Sequence, residues 1–435
     1  MSKNVTVLAI CFALLFILIS CSTERESLSQ EDYTTETEMP PMTSDYDAEA
    51  EKSYVNTNTE FDEKSKQDIA DTINALMQFS QNLFREILTT GEENILASPL
   101  SVYYVLAMAA LGAMDNTLYE FKTVLGLSPH ELAPQLTTIA RNLTNATEDT
   151  HINIGGSVWV CDEHTVNADF RQNMIDYFNA DVYSRDFLSP LTIDEINKWV
   201  YEQTNGFIEN ALDEMRDDEI MLLINTVYLF ARWSYDFNPL HEEIDTFYLQ
   251  SGEEIEIPFL STHHISLAVL VTDYYEAAFL PYNDERTGFF LVRPTDRTDI
   301  REFITTHDFM QILSRLERRH EVKVAMPALE KEFAIDVNEH LIALGLYSAF
   351  DANSANFSEL IESRYAMYIS RVQQNTRISV GRDGTEAAAV TTLFFPLEAL
   401  HEPIELRFNT PYFYAVYDVK TGVVLFMGIV DNPSH

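Results

Sequence analysis

The chain reads as an α+β protein. Helical patterns gather in its first half and strand patterns in its second, without the strand–helix alternation of a βαβ fold. Apolar residues make up 46% of the 435 residues, enough for one large core. No Gly/Ser linker divides the body, and no period of roughly 20–50 residues repeats along it. A single α+β domain over residues 66–435 is therefore expected, behind two leading segments of different character.

Residues 1–20 read as an export signal. Lys3 is the positive end, and Val5 to Ile19 is an apolar run, short for a span that needs about 20 residues. Leu18-Ile19-Ser20-Cys21 is similar to a lipoprotein box, in which Cys21 carries the lipid; a secretory signal cleaved nearby, with Cys21 incidental, is the alternative. Both place the protein outside the cell, secreted or lipid-anchored at its surface. Residues 21–65 are acidic and rich in Ser and Thr around Pro40-Pro41. They bury too little apolar area to offset ordering entropy, so a disordered tether is expected. Of the three cysteines only Cys161 lies in the body, which leaves no intramolecular disulfide there.

The body opens with Ile69, Ile73, Leu76, Met77, Leu83, Phe84 and Ile87 at three- and four-residue steps, a helix with one apolar face. Ser98-Pro99 places a proline in the first turn of an apolar helix running to Leu111. Ile154–Val160 reads as a strand, Ile193–Ala211 as a helix, and Ile220–Phe230 as a buried strand. Further strands are expected at Glu253–Leu260, Ile265–Val271, Gly288–Val292, Val322–Met326, Met367–Val372, Ile404–Phe408, Tyr412–Tyr417 and Val423–Val430.

No motif for catalysis emerges. There is no Gly-rich phosphate loop, no His-Glu-x-x-His, no zinc-spaced cysteine pair and no Gly-x-Ser-x-Gly elbow. His263-His264, if on a strand, would point its rings to opposite faces, so no metal or cofactor is expected. The net charge of −41 argues against nucleic acid, because no basic stripe offsets repulsion by a phosphate backbone.

The most informative segment runs Gly384-Thr385-Glu386-Ala387-Ala388-Ala389-Val390-Thr391-Thr392, followed by the apolar tip Leu393-Phe394-Phe395-Pro396-Leu397. With period two, Thr385, Ala387, Ala389, Thr391, Leu393, Phe395 and Leu397 share one uncharged face, small in its first half. Glu386 falls on the other face. Such a strand can slide into an existing sheet.

This segment resembles the hinge of the serpin reactive-centre loop, Gly-Thr-Glu-Ala-Ala-Ala-x-Thr. Other motifs follow in order at the family's spacings: Asn94 to Ser101, Ile196 to Ile208, Asn225-Thr226-Val227-Tyr228 with Trp233, Asn356-Phe357-Ser358, and Gly422 to Gly428. The resemblance covers about residue 70 to 433. It implies a serpin fold, with helices around a large mixed sheet A plus two further sheets and an exposed loop.

It also implies a monomeric suicide-substrate inhibitor of extracellular serine proteases, not an enzyme. A protease would cleave the loop as an acyl-enzyme, and the hinge, Gly384 to Thr391, would then insert into sheet A and drag the protease roughly 50 Å, about 15 residues at ~3.3 Å each. Ser98, Ser101, Asn225 and Gln374 match the family's shutter, with Gln374 where a His is usual. Arg382 stands where the family carries an acid, two residues before the hinge glycine. Counting from the hinge puts the reactive bond at Glu398-Ala399; counting back from Phe408-Asn409-Thr410-Pro411 puts it at Leu400-His401, and Leu397 is a further alternative. These residues suit elastase-, subtilisin- or chymotrypsin-like proteases, with a glutamyl endopeptidase as runner-up. Heparin is not expected, since Gly126 to Asp149 offers Arg141 as its only Arg or Lys. Thr385→Arg is expected to block insertion and spare the intact fold, its burial following cleavage. Two alternatives remain at this point: a non-inhibitory carrier of the same fold, and a surface-anchored adhesin built on it.

Overall fold

The spacing from Ile69 to Ile87 does make one buried face, on helix α1 (Glu63–Leu88). In the computed structural model the described residues are 63–434, save 145–148, 181, 217–218, 236, 238–242, 363–366 and 386–403. The signal, Cys21 and the tether lie outside them, except that α1 begins at Glu63, inside the stretch read as tether. Helix α2 (Pro99–Ala110) is buried at every position. Its sequence, apolar all round, suits a helix through the centre of a large core.

The strands fall into three sheets around that core. One is a ten-stranded sheet, in order Ile95–Ala97, Val423–Val430, Tyr412–Asp418, Thr287–Pro294, Tyr275–Pro281, Ile265–Val271, Glu317–Pro327, Glu254–Ser261 and Glu243–Tyr248, with Ile404–Arg407 paired off Glu317–Pro327. A small two-stranded sheet joins Thr165–Val166 to Ile361–Glu362. The third is a six-stranded mixed sheet. Its strands are β1 (Thr150–Cys161), β2 (Val182–Arg185), β3 (Met221–Arg232), β4 (Leu329–Asp336), β5 (Arg371–Val380) and the two-residue β6 (Gly384–Thr385). Their spatial order is β4-β5-β6-β3-β1-β2. This is the α+β arrangement with three sheets that the sequence led us to expect.

Strand β3 shows why a continuous apolar run marks a central strand. Leu223, Val227 and Leu229 face the main core with α2, while Leu222 and Ile224 face the other way. On that outer face helix α3 (Pro190–Gln203) brings Ile196 and Val200 onto Trp159, Leu222 and Ile224, a second, smaller core.

Two expected elements are corrected. The helix read as Ile193–Ala211 stops at Gln203, because Asn205 and Gly206 take positive φ (52° and 83°) and turn the chain back onto the sheet. The strand read as Met367–Val372 instead runs Arg371–Val380. Its polar stretch Gln373 to Arg377 lay beyond the expected strand, yet Gln374 and Thr376 are buried and bonded to buried carbonyls. Strands β2, β4 and Tyr275–Pro281 had no expectation at all.

Candidate functional site: a strand seam with a docked hinge

The site lies between β3 and β5. At their lower ends these strands pair directly and in parallel, from Arg371–Leu222 to Gln374–Asn225. Direct pairing stops there. At the upper ends β6 stands between them, antiparallel to both: Thr385 is opposite Val380 and Ala231, and Gly384 opposite Arg232. The three registers agree. Stepping down β6 one residue at a time steps down β5 and β3 equally, and arrives at the observed Gln374–Asn225 pair. The described strands are thus bridged by β6 at the top, show no direct pairing over 375–379 and 226–230, and pair directly below.

The hinge residues at the top are docked. Thr385 is 1% exposed, and its hydroxyl shares a 2.5 Å hydrogen bond with the Tyr282 hydroxyl. Burial raises the Tyr282 pKa well above the usual phenol value, so this group stays protonated and available as a donor. Trp233 stacks on Tyr282 at 4.6 Å and donates from Nε1 to the Gly381 carbonyl at 2.9 Å. Gly384 has φ +149°, and a Cβ there would meet the Ala231 carbonyl oxygen at 2.0 Å. Only glycine fits that approach. The expectation that Thr385 becomes buried only after cleavage is therefore corrected, since the short β6 buries it in the intact chain.

At the point where β3 and β5 meet, Ser98, Ser101, Asn225 and Gln374 come together. The Ser101 hydroxyl is 2.8 Å from the Ser98 carbonyl and 2.6 Å from Asn225 Oδ1. Gln374 Nε2 donates to the Ser98 carbonyl at 2.7 Å and lies 3.2 Å from Ser101 Oγ. Asn225 Nδ2 donates across the seam to the Gln373 carbonyl at 3.3 Å. All four are essentially inaccessible to water; the network satisfies the side chains of Ser101, Asn225 and Gln374, while Ser98 joins it through its backbone and its buried hydroxyl has no partner among the described residues. Gln374 thereby joins α2 to β5 and β3. Glu386, Ala387, Ala388, Ala389, Val390 and Thr391, and the reactive-bond residues Leu397, Glu398, Ala399, Leu400 and His401, lie outside the described residues.

Sequence reasoning missed Tyr282 altogether and noted Trp233 without a role. Both sit at strand ends, where the aromatic ring's partner comes from a distant segment. No local pattern signals that.

The family model for serpin, serine protease inhibitor, matches residues 74–433. The chain belongs to the serpin family. Among relatives of this serpin, the glia-derived nexin of Rattus norvegicus is 26% identical over 363 residues, covering 81% of this chain and 91% of that protein. The native-state structure of the thermophilic serpin tengpin matches with a TM-score of 0.76 at 28% identity, over 86% of this chain and 96% of that one. Human thyroxine-binding globulin, solved in complex with thyroxine, matches with a TM-score of 0.77 at 21% identity, over 84% and 99%; at that identity the likeness concerns the fold alone. The six-stranded sheet is the serpin sheet A. Serpins as a family are protease inhibitors that partner serine proteases, and this serpin is accordingly not an enzyme.

Proposed function

We propose that this serpin is a suicide-substrate inhibitor of extracellular serine proteases, and that the seam between β3 and β5 receives its cleaved loop. The register carries this reading. Continued downward from β6, residues 386–390 fill the stretch without direct pairing, and 391–394 displace the direct pairing, ending with residue 394 opposite Arg371 and Leu222. Side chains opposite one another share a face. Ala387 then falls between Ile378 and Leu229, Ala389 between Thr376 and Val227, Thr391 between Gln374 and Asn225, and Leu393 between Val372 and Leu223, these eight neighbours and Thr385's own pair all being buried. Small residues meet apolar ones, and the hydroxyl of Thr391 meets the polar pair. Glu386 falls beside Ser379 and Phe230 on the other face, both only half-buried, where water can solvate a carboxylate.

Inhibition requires cleavage beyond the inserted stretch, at Glu398-Ala399 or Leu400-His401, so that the acylated protease is carried past the foot of the sheet. Elastase- or subtilisin-like enzymes are the favoured targets. Incubation with elastase, chymotrypsin and a glutamyl endopeptidase, followed by a denaturing gel, tests this. A covalent band at the summed mass supports inhibition, and clean cleavage by every enzyme removes it. Export through residues 1–20, with lipid on Cys21, belongs to the same proposal. Loss of membrane association in Cys21→Ser, read by fractionation, checks it.

A further inference from the structure

The lower end of the seam holds more than backbone pairing. The Ser370 N–H donates to the Met221 carbonyl at 2.9 Å, and the Ile220 N–H donates to Ser370 Oγ at 2.8 Å. Beside them Arg371 Nη2 pairs with Glu219 Oε1 at 2.7 Å, with side chains only 7% and 1% exposed. Each partner is also tied to main chain. Arg371 Nη2 donates to the Glu214 carbonyl at 3.1 Å, and Glu219 Oε2 accepts from the Arg216 N–H at 2.9 Å. Arg216 in turn reaches Asp336, at the end of β4, at 3.2 Å. Asn338 closes the set, donating to the Ser370 carbonyl at 2.8 Å and accepting from the Val372 N–H at 2.9 Å.

A buried ion pair is weak evidence for stability, because desolvation offsets most of its Coulomb gain. Here burial raises the Glu219 carboxyl above the usual carboxylate range, against the Arg216 N–H and the Arg371 charge, which lower it. What distinguishes the pair is its place. Glu219 leads into β3, Arg371 opens β5, and the incoming strand must pass between those two strands. Adding a strand moves its flanks apart by about 4.8 Å. A 2.7 Å contact anchored at both ends to main chain does not follow that displacement.

We infer that Glu219 and Arg371 form a clasp at the foot of sheet A, which must part before residues 391–394 can seat, and which slows the last part of loop insertion. The inference rests on the insertion reading proposed above. It assigns timing to two residues outside the hinge and the shutter. In an inhibitor, that timing decides whether the acyl-enzyme is trapped or hydrolysed.

The test uses the full chain in three forms: wild type, Glu219→Gln, and the double variant Glu219→Gln/Arg371→Met. The double variant leaves no uncompensated charge. Each is nicked within the loop, and insertion is followed by tryptophan fluorescence, to which Trp233 contributes from beside β6 at the top of the seam. Melting temperatures are taken for intact and nicked protein. Insertion is expected to be about tenfold faster in both variants, equivalent to ~1.4 kcal/mol of barrier. Intact variants should melt lower, and nicked variants as nicked wild type. An unchanged insertion rate, or equal losses of melting temperature in both forms, overturns the clasp and leaves the insertion reading in place. Nicked wild type that melts no higher than intact wild type removes the insertion reading, and the clasp with it.

Discussion

Thr385 serves the intact chain and the proposed inserted chain with the same side chain. In the intact molecule its hydroxyl is bound by Tyr282, and its backbone already pairs with both strands of the seam. Thr385→Arg must therefore expel β6 before any protease arrives. The expected outcome is a folded protein, destabilised by about 1–3 kcal/mol through the lost buried contacts, that is cleaved without forming a covalent complex. Denaturant melts and the gel assay check both parts. Tyr282→Phe keeps the ring on Trp233 and removes only the hydroxyl, so a loss nearer 1 kcal/mol is expected. Gly384→Ala should undock the hinge through contact with the Ala231 carbonyl, seen as faster amide exchange at Thr385. Asp431 offers a test by pH. Burial pushes its carboxyl up to about 6 despite Arg301. The native state then holds a proton that the unfolded chain releases above 3.8, so this site's contribution rises as pH falls from about 6. Asp431→Asn should flatten stability over that interval in thermal melts.

At the scale of elements, the seam is a junction where β3 and β5 pair directly below and are bridged by β6 above. The network of Ser98, Ser101, Asn225 and Gln374 sits at the fork. Gln374→Leu would strand the Ser98 N–H, which donates to Gln374 Oε1, and remove one donor each from the Ser98 carbonyl and the Ser101 hydroxyl, which keep each other as partners. A loss of about 1–3 kcal/mol in the intact form is expected, the cost of one stranded buried group. The same change should hasten spontaneous insertion on mild heating, read as a slow rise in resistance to thermal unfolding. Gln374→His restores a donor at the family's usual position and should cost less.

For the whole molecule, β3 and β5 pair directly only over 371–374 and 222–225, so the proposed insertion of the loop would complete the sheet between them. Freeing the loop by cleavage between Thr392 and Leu400 should complete it and raise the melting temperature sharply. Equal melting temperatures for intact and nicked protein would point to a carrier-type serpin. The charge of −41 acts at this scale too. Steering of basic proteases by this field predicts an association rate that falls as salt screens it, whereas acidity that reflects a saline habitat predicts no such dependence. A salt-independent rate in stopped-flow mixing would exclude steering.

The sequence by itself determined the class, the core helices and the central strands, because each is written locally. Apolar residues from Ile69 to Ile87 have helical spacing, β3 is continuously apolar, and small residues alternate from Thr385 through Ala389. It also named the four residues at the fork, through resemblance at matching spacings. Other features depended on contacts between distant segments, which no local period records. Polar Gln373 to Arg377 became a strand because their partners wait on α2 and β4. The docking of Thr385 was decided by Tyr282, 103 residues away, and the Glu219–Arg371 pair by two strands that are neighbours only in the folded sheet. A buried polar side chain is stable only where its partner is placed, and that placement belongs to the tertiary structure.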